Sequence, residues 1–295
     1  GAGNTVVSGA ITLSGNNSYA GATTITSGLV SLAHANALGT TAGGTTVASG
    51  ASLELQGGIA VGAEALTVSG TGSASNGALR NYFGANSFGG TVTLAGATTI
   101  QSDAGTLTLG NATAIAAGAN DLVFTGAGNT VVSGAITGTT TGLTKTGNGK
   151  LTLGGNNTFQ GAVAVNAGTV SVSGANGLGD ATSGTTVASG ASLELQGSVN
   201  VASESLDVTG TGFGSAGALR NLSGNNTFGG AITLSGNTTV QSDAGTLVLG
   251  GALSAGSRVL TVTGNGNVTM NGAMSGSTGS LVKTGSGTLT LAANN

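Results

Sequence analysis

The chain copies itself, and that repetition restricts its fold more than any other feature. The thirteen residues Thr45 to Gly57, reading TTVASGASLELQG, recur letter for letter as Thr185 to Gly197, a shift of 140 in the numbering. The same shift carries Ala78-Leu79-Arg80-Asn81 onto Ala218-Leu219-Arg220-Asn221, and Gln101-Ser102-Asp103-Ala104-Gly105 onto Gln241-Ser242-Asp243-Ala244-Gly245. Repeating chains are built from units that each touch mainly their neighbours. An extended stacked surface is expected, in place of one enclosed pocket.

A shorter period lies inside the long one. Gly or Ala, any residue, then Asn, a hydroxyl residue and an aromatic recur around Asn17, Asn86, Asn157 and Asn226, and the chain stops at Asn295, where a fifth cluster would begin. The spacings between successive asparagines of this series are 69, 71, 69 and 69. The long repeat is thus two similar halves in alternation, one carrying LELQG and the other QSDAG. Residues 1–295 are expected to form one continuous domain of about 70-residue units in A-B-A-B order, cut from a longer chain. Gly3 to Thr12 matches Gly128 to Thr137 at a shift of 125, so fifteen residues are missing from the first copy or added to the second. A stacked coil tolerates a change of that size, whereas most globular folds do not.

Between glycines, the segments are short and alternate. In Ala51 to Gln56 the leucines point one way, and Ser52, Glu54 and Gln56 the other. Thr91 to Leu94, Thr106 to Leu109, Lys150 to Leu153 and Thr288 to Leu291 follow the same rule, which is the two-residue period of a strand. Leu247-Val248-Leu249 is apolar throughout, as suits a strand covered on both faces. Thr and Val favour strands, and Gly, Asn and Ser punctuate at turn spacing. No 3.6-residue period of helical length is present. A linear repeat with a coil-sized insertion points to an all-β chain: a right-handed parallel β-helix of roughly 13–16 coils at about 20 residues and 4.8 Å per coil. In such a stack Asn side chains on successive coils can bond along the axis.

Composition excludes several classes. Glycine is 59 of 295 residues, proline and cysteine are absent, and charged residues are 5%. So few charges, with positive mean hydropathy, argue against disorder, and glycine without a three-residue period excludes collagen. Six scattered cations cannot neutralise a phosphate backbone, so no nucleic-acid partner is expected. Without cysteine there is no disulfide, thiolate nucleophile or Cys-based zinc site. No apolar run reaches the roughly 18 residues of a membrane helix.

The run from Leu143 to Val170, LTKTGNGKLTLGGNNTFQGAVAVNAGTV, resembles the autotransporter-associated β-strand repeat of bacterial passenger domains. Lys145, Gly147, Gly149, Leu151, Leu153, Gly155, Asn157, Thr158, Phe159, Gly161, Asn166 and Gly168 fall on its pattern. Val170 stands where the pattern has Leu. Leu281 to Asn295 resembles the opening half of a second copy. Asn16 to Leu32 resembles a closing half, with Thr26 in place of Asn. The resemblance implies a β-helical passenger at the Gram-negative cell surface or outside it, exported by a translocator barrel elsewhere in the parent chain.

No catalytic residue, cofactor or metal ligand is expected. His34 is the sole histidine, has no repeat partner, and reads as a loop residue. Glu54 and Glu194, Glu64 and Glu204, and Asp103 and Asp243 are related by the long repeat, so each acid lies many coils from its copy. Two-carboxylate glycoside hydrolysis needs them roughly 5–10 Å apart. They read instead as solvated charges that discourage lateral aggregation, though a local grouping of Arg80 with Asp103 stays open. One Ser-Asp-Ala-Gly per long repeat is too sparse for tandem calcium loops. Asn17, Asn86, Asn157, Asn226 and Asn295 read as ladder or turn residues, Phe88, Phe159 and Phe228 as interior or corner fillers, and Lys145 and Lys283 as surface residues. A structural cell-surface stalk or fibre follows, with homotypic rod-to-rod or host-surface contacts. The alternatives are a β-helical enzyme on polysaccharide and an ice- or surface-binding solenoid using flat threonine arrays such as Thr91-Val92-Thr93.

Overall fold

The computed structural model describes residues 1, 3–276 and 278–294; the expectation for Asn295 lies outside them. The chain divides into two compact units, Gly1–Leu143 with Gly147–Phe159, and Thr144–Thr146 with Gln160–Asn295. Each is all-β with parallel strand pairing, and together they make about 14 turns of solenoid. Among the described residues there is no α-helix; two short 3-10 turns, Ser73–Ser75 and Phe213–Ser215, hold equivalent places in the two units.

In the first unit, three ribbons of strands run up the stack. One contains Ile25, Val47, Val68 and Leu94 in register on successive coils. The steps along it are 22, 21 and 26, which together make up the spacing of 69 between Asn17 and Asn86. Each short repeat is therefore three coils. The second ribbon stacks Val30, Leu53, Leu79, Ile100 and Phe124. The third stacks Phe88, Leu109, Val132 and Leu153. The nine side chains of the second and third ribbons are at most 1% exposed, so the interior is a continuous column of apolar ranks. In the second unit, Val170, Leu193, Leu219, Val240 and Val262 stand in register in the same way.

The longest of the three coils explains where alternation fails. Ala51–Gln56 was expected to show one polar face to solvent, yet Ser52 is fully buried and Glu54 only 4% exposed. The extra residues fold over this strand. Ser52 Oγ donates to Gly77 O at 2.7 Å and accepts from Ser73 N at 2.8 Å. Ser192 repeats both bonds with Gly217 and Phe213. Conversely, Val248, in the apolar run Leu247 to Leu249, is half-exposed.

Gly147, Gly149 and Gly155 of the passenger pattern sit where coils approach too closely for a side chain. A Cβ on Gly149 would lie 1.9 Å from the carbonyl oxygen of Gly128 on the preceding coil. Gly287 stands in the same relation to Gly266, also at 1.9 Å. Gly149→Ala should force the coils apart and destabilise the chain by ~1–3 kcal/mol, the usual range for overpacking. Urea denaturation of the purified protein checks this through a lowered midpoint.

Candidate functional site

Polar chemistry is concentrated at two kinds of place, each built twice. The first is a charge ladder on the second ribbon. Parallel register sets Ser31, Glu54, Arg80 and Gln101 over one another. Ser31 Oγ donates to Glu54 Oε1 at 2.9 Å, and Arg80 Nη1 donates to Glu54 Oε2 at 2.7 Å. Arg80 also donates from Nε to Asp103 Oδ2 at 2.8 Å and pairs with it through Nη2. Gln101 Nε2 caps the other Asp103 oxygen at 2.5 Å. The second unit repeats the arrangement through Ser171, Glu194, Arg220, Gln241 and Asp243. These acids are therefore not the solvated charges expected from the sequence. Each local Glu-Arg-Asp group spans three coils. Unequal coil lengths, a long step from Glu54 to Arg80 and a shorter one to Gln101, bring distant residues into a single rank. Both carboxylates of each group are held by one guanidinium, so neither is placed as a proton donor to a substrate.

The second place is a buried asparagine corner. Asn86 Oδ1 accepts from Gly58 N at 2.9 Å and Ile59 N at 2.7 Å. Its Nδ2 donates to Asn81 Oδ1 at 2.5 Å and Phe83 O at 2.8 Å. Asn81 in turn donates to Ser102 Oγ at 3.0 Å and Ala104 O at 2.9 Å. Asn226, Asn221 and Ser242 rebuild the corner in the second unit. Asn157 Oδ1 accepts from Ile136 N at 2.8 Å, and Asn17 donates to Ala37 O at 2.8 Å. The repeat asparagines lie three coils apart, about 14 Å at 4.8 Å per coil, so they do not meet one another. Asn86 pairs in register with Leu107 on the next coil and is bonded to Ile59 on the preceding one. Each asparagine instead ties its side chain to the main chain of a neighbouring coil. Phe88, Phe159 and Phe228, beside these corners, are fully buried.

Asn81, Asn221, Ser102 and Ser242 had no role in the sequence reading. Their signal was present in the blocks ALRN and QSDAG, copied without change. His34 is half-buried in a turn, where its Nδ1 accepts from Asn36 N at 3.1 Å. Among the described residues, no three His, Asp or Glu side chains converge in a manner suited to a metal ion. Among the described residues, no helix is long and apolar enough to cross a membrane.

Three more charges are buried. Lys145, expected at the surface, is 3% exposed. Its Nζ donates to Thr146 O at 2.7 Å and Ala167 O at 3.3 Å, and burial lowers its pKa to about 8. Lys283, its repeat equivalent, is exposed. Glu64 and Glu204 are each 3% exposed. Burial raises the pKa of both, against the opposing bonds from Thr45 at 2.9 Å and Thr185 at 2.6 Å; Asp180 adds to the rise at Glu204.

The passenger-associated transport repeat matches residues 2–32, 143–172 and 281–295, the three stretches where the resemblance was read, the first of them beginning earlier than Asn16. These stretches carry the repeat of autotransporter passengers, which places the chain at the Gram-negative cell surface or outside it. The adhesin BmaC autotransporter of Brucella suis biovar 1 (strain 1330) is 40% identical over 92 residues, 31% of this chain. The aligned stretch is 3% of that protein's length. No solved structure matches the chain.

Arg80→Met leaves Glu54 buried without its cation and should cost about 3–5 kcal/mol. Glu54→Leu combined with Arg80→Met should cost clearly less than the sum of the two single changes, as a double-mutant cycle by urea denaturation measures. Stability should also vary with pH through the buried charges. Lys145 is depressed in the folded state, so its stabilising contribution is complete above its ordinary value of 10.5 and is lost as pH falls towards about 8. Glu64 and Glu204, being raised, act in the opposite sense: their contribution is complete below the ordinary value of 4.5 and is lost as pH rises. Between about pH 8 and 10.5, the parent should gain stability over Lys145→Met as pH increases, read from paired thermal melts.

Proposed function

We propose that this chain is a non-enzymatic structural part of an adhesive passenger, and that an uncharged face of the solenoid makes homotypic contacts between neighbouring molecules. The observation that carries the reading is a rank of threonines. Thr24, Thr46, Thr67 and Thr93 occupy successive coils in register, all facing outward. At about 4.8 Å per coil they present a regular row of hydroxyls, each both donor and acceptor, with no charge to keep a second copy away. In the second unit the corresponding rank is Thr186, Asp207, Thr233 and Ser254; Asp207 puts a carboxylate in it, so the uncharged face is that of the first unit. The similarity to an adhesin supports the same reading. The absence of enzymatic work is supported by the ion groups, whose carboxylates are committed to arginine.

Cells displaying the protein should co-aggregate with one another and leave non-displaying cells unbound. Thr46→Lys with Thr93→Lys should abolish aggregation while shifting stability by no more than about 0.5 kcal/mol, as expected of surface changes. Aggregation undiminished by those two changes would rule out this face.

The same rank favours a second reading, a surface-binding solenoid of the ice-binding kind. The working row is Thr24 to Thr93, and Thr91 is half-buried with its hydroxyl donated to Thr113 O at 2.9 Å. Thermal hysteresis of the purified protein decides for or against it.

A further inference from the structure

The two copies of the long repeat share a backbone but differ at several exposed places, and at one of them the first copy has two adjacent aromatics. Leu55 pairs with Asn81 and Gln56 with Phe83, so Tyr82 is the extra residue of a β-bulge. The second copy has the same bulge, with Leu195 on Asn221 and Gln196 on Ser223. There the two residues are Leu222 and Ser223; here they are Tyr82 and Phe83. Consecutive strand residues normally point to opposite faces, but the bulge turns both aromatics outward, leaving them 45% and 46% exposed. The fold does not need them, because the second copy builds the same bulge without them. Exposing two large rings side by side therefore calls for another explanation.

The rings are held in place. They meet edge to face, with centroids 5.4 Å apart, and the Arg80 guanidinium lies over Tyr82 at 4.8 Å. Arg80 is itself fixed by Glu54 and Asp103. On the preceding coils is an open cavity of about 290 Å³ lined in part by Ile11, Thr12, Leu29, Glu54 and Gln56; the rings themselves do not line it. Gln56 is the register partner of Phe83, and Glu54 that of Arg80, so rings and cavity are one coil apart. Gln196 spends its amide on Ser171 Oγ at 3.1 Å, whereas Gln56 makes no such bond to Ser31. Its donors and acceptor are available to a ligand at the cavity edge.

We infer that Tyr82, Phe83 and this cavity form a binding site for a neutral saccharide. Ring faces pack against sugar C–H groups, while the Gln56 amide and the Thr12 hydroxyl at the cavity match sugar hydroxyls; small-molecule sites combine aromatic walls with a few placed polar groups in this manner. The volume suits one sugar ring, near the lower end of the roughly 300–1,000 Å³ usual for such sites. One guanidinium between two carboxylates leaves the local charge negative, which disfavours acidic sugars. The inference does not rest on homotypic adhesion, and either can fail alone.

Saturation-transfer NMR tests it, with the whole chain and three probes: cellobiose, lactose and N,N′-diacetylchitobiose. At least one should receive saturation from the parent protein. Tyr82→Leu with Phe83→Ser, the pair already present in the second copy, should weaken binding about tenfold or more with an unchanged thermal midpoint. Gln56→Ala, which keeps both rings, should also weaken it. Transfer to none of the three sugars, or transfer equal in the double variant, overturns the site. So does loss, in that variant, of phosphatidylcholine-vesicle binding or of self-association in place of sugar binding, since the rings would then serve a lipid surface or a second copy.

Discussion

The close parallel approach of one coil's main chain to the next is the constraint from which the rest of this protein derives. Each strand bonds the strand above and below at the spacing of a parallel ladder, and between strands the turns must come equally close. Only glycine permits this at Gly149, whose missing Cβ would have penetrated the Gly128 carbonyl. That is the physical content of Gly147, Gly149 and Gly155 in the passenger pattern. With the stack closed in this way, apolar residues two apart on each strand must fall over apolar residues on the next coil, giving ranks such as Val30, Leu53, Leu79, Ile100 and Phe124.

The narrow interior contains more polar material than such a column would need for stability alone. Asn81, Asn86 and Ser102 form a buried network, and Glu54 and Glu194 are taken almost wholly from water. The cost of leaving a buried polar atom unpaired is high, and among the described residues no buried side-chain nitrogen or oxygen is left so. Every bond in these networks crosses between coils or ties a corner to its own coil, so the networks specify register as much as they add stability. A slip of one residue would turn Asn86 away from Gly58 and Ile59 of the preceding coil and would set an apolar side chain, Leu79, against the Glu54 carboxylate.

Much of the architecture was legible in the residues. The letter-for-letter copy of Thr45 to Gly57, the evenly spaced asparagine clusters and two-residue alternation lead to a parallel solenoid, and the number of turns falls within the expected range. What escaped was the fate of individual polar side chains. Alternation places Glu54 on the outer face, and so it is, but it cannot show that a longer coil folds a loop over Ser52 and leaves the arginine of another coil above the carboxylate. Nor does the pattern show that Lys145 is buried, with its ammonium on the backbone carbonyls of Thr146 and, on the next coil, Ala167. The asparagine spacing was visible, but its three-coil meaning required the unequal steps from Ile25 to Val47, Val68 and Leu94.

By itself the sequence determined what is periodic: strand, turn and repeat, because these depend on neighbours along the chain and on side-chain size. The tertiary structure alone decided which coil lies over which, and hence that Arg80 joins Glu54 to Asp103 and that Tyr82 and Phe83 emerge together one coil from a cavity. Those meetings depend on the length of each coil, and a small difference in length between one coil and the next changes which side chains share a rank without altering the local pattern of either.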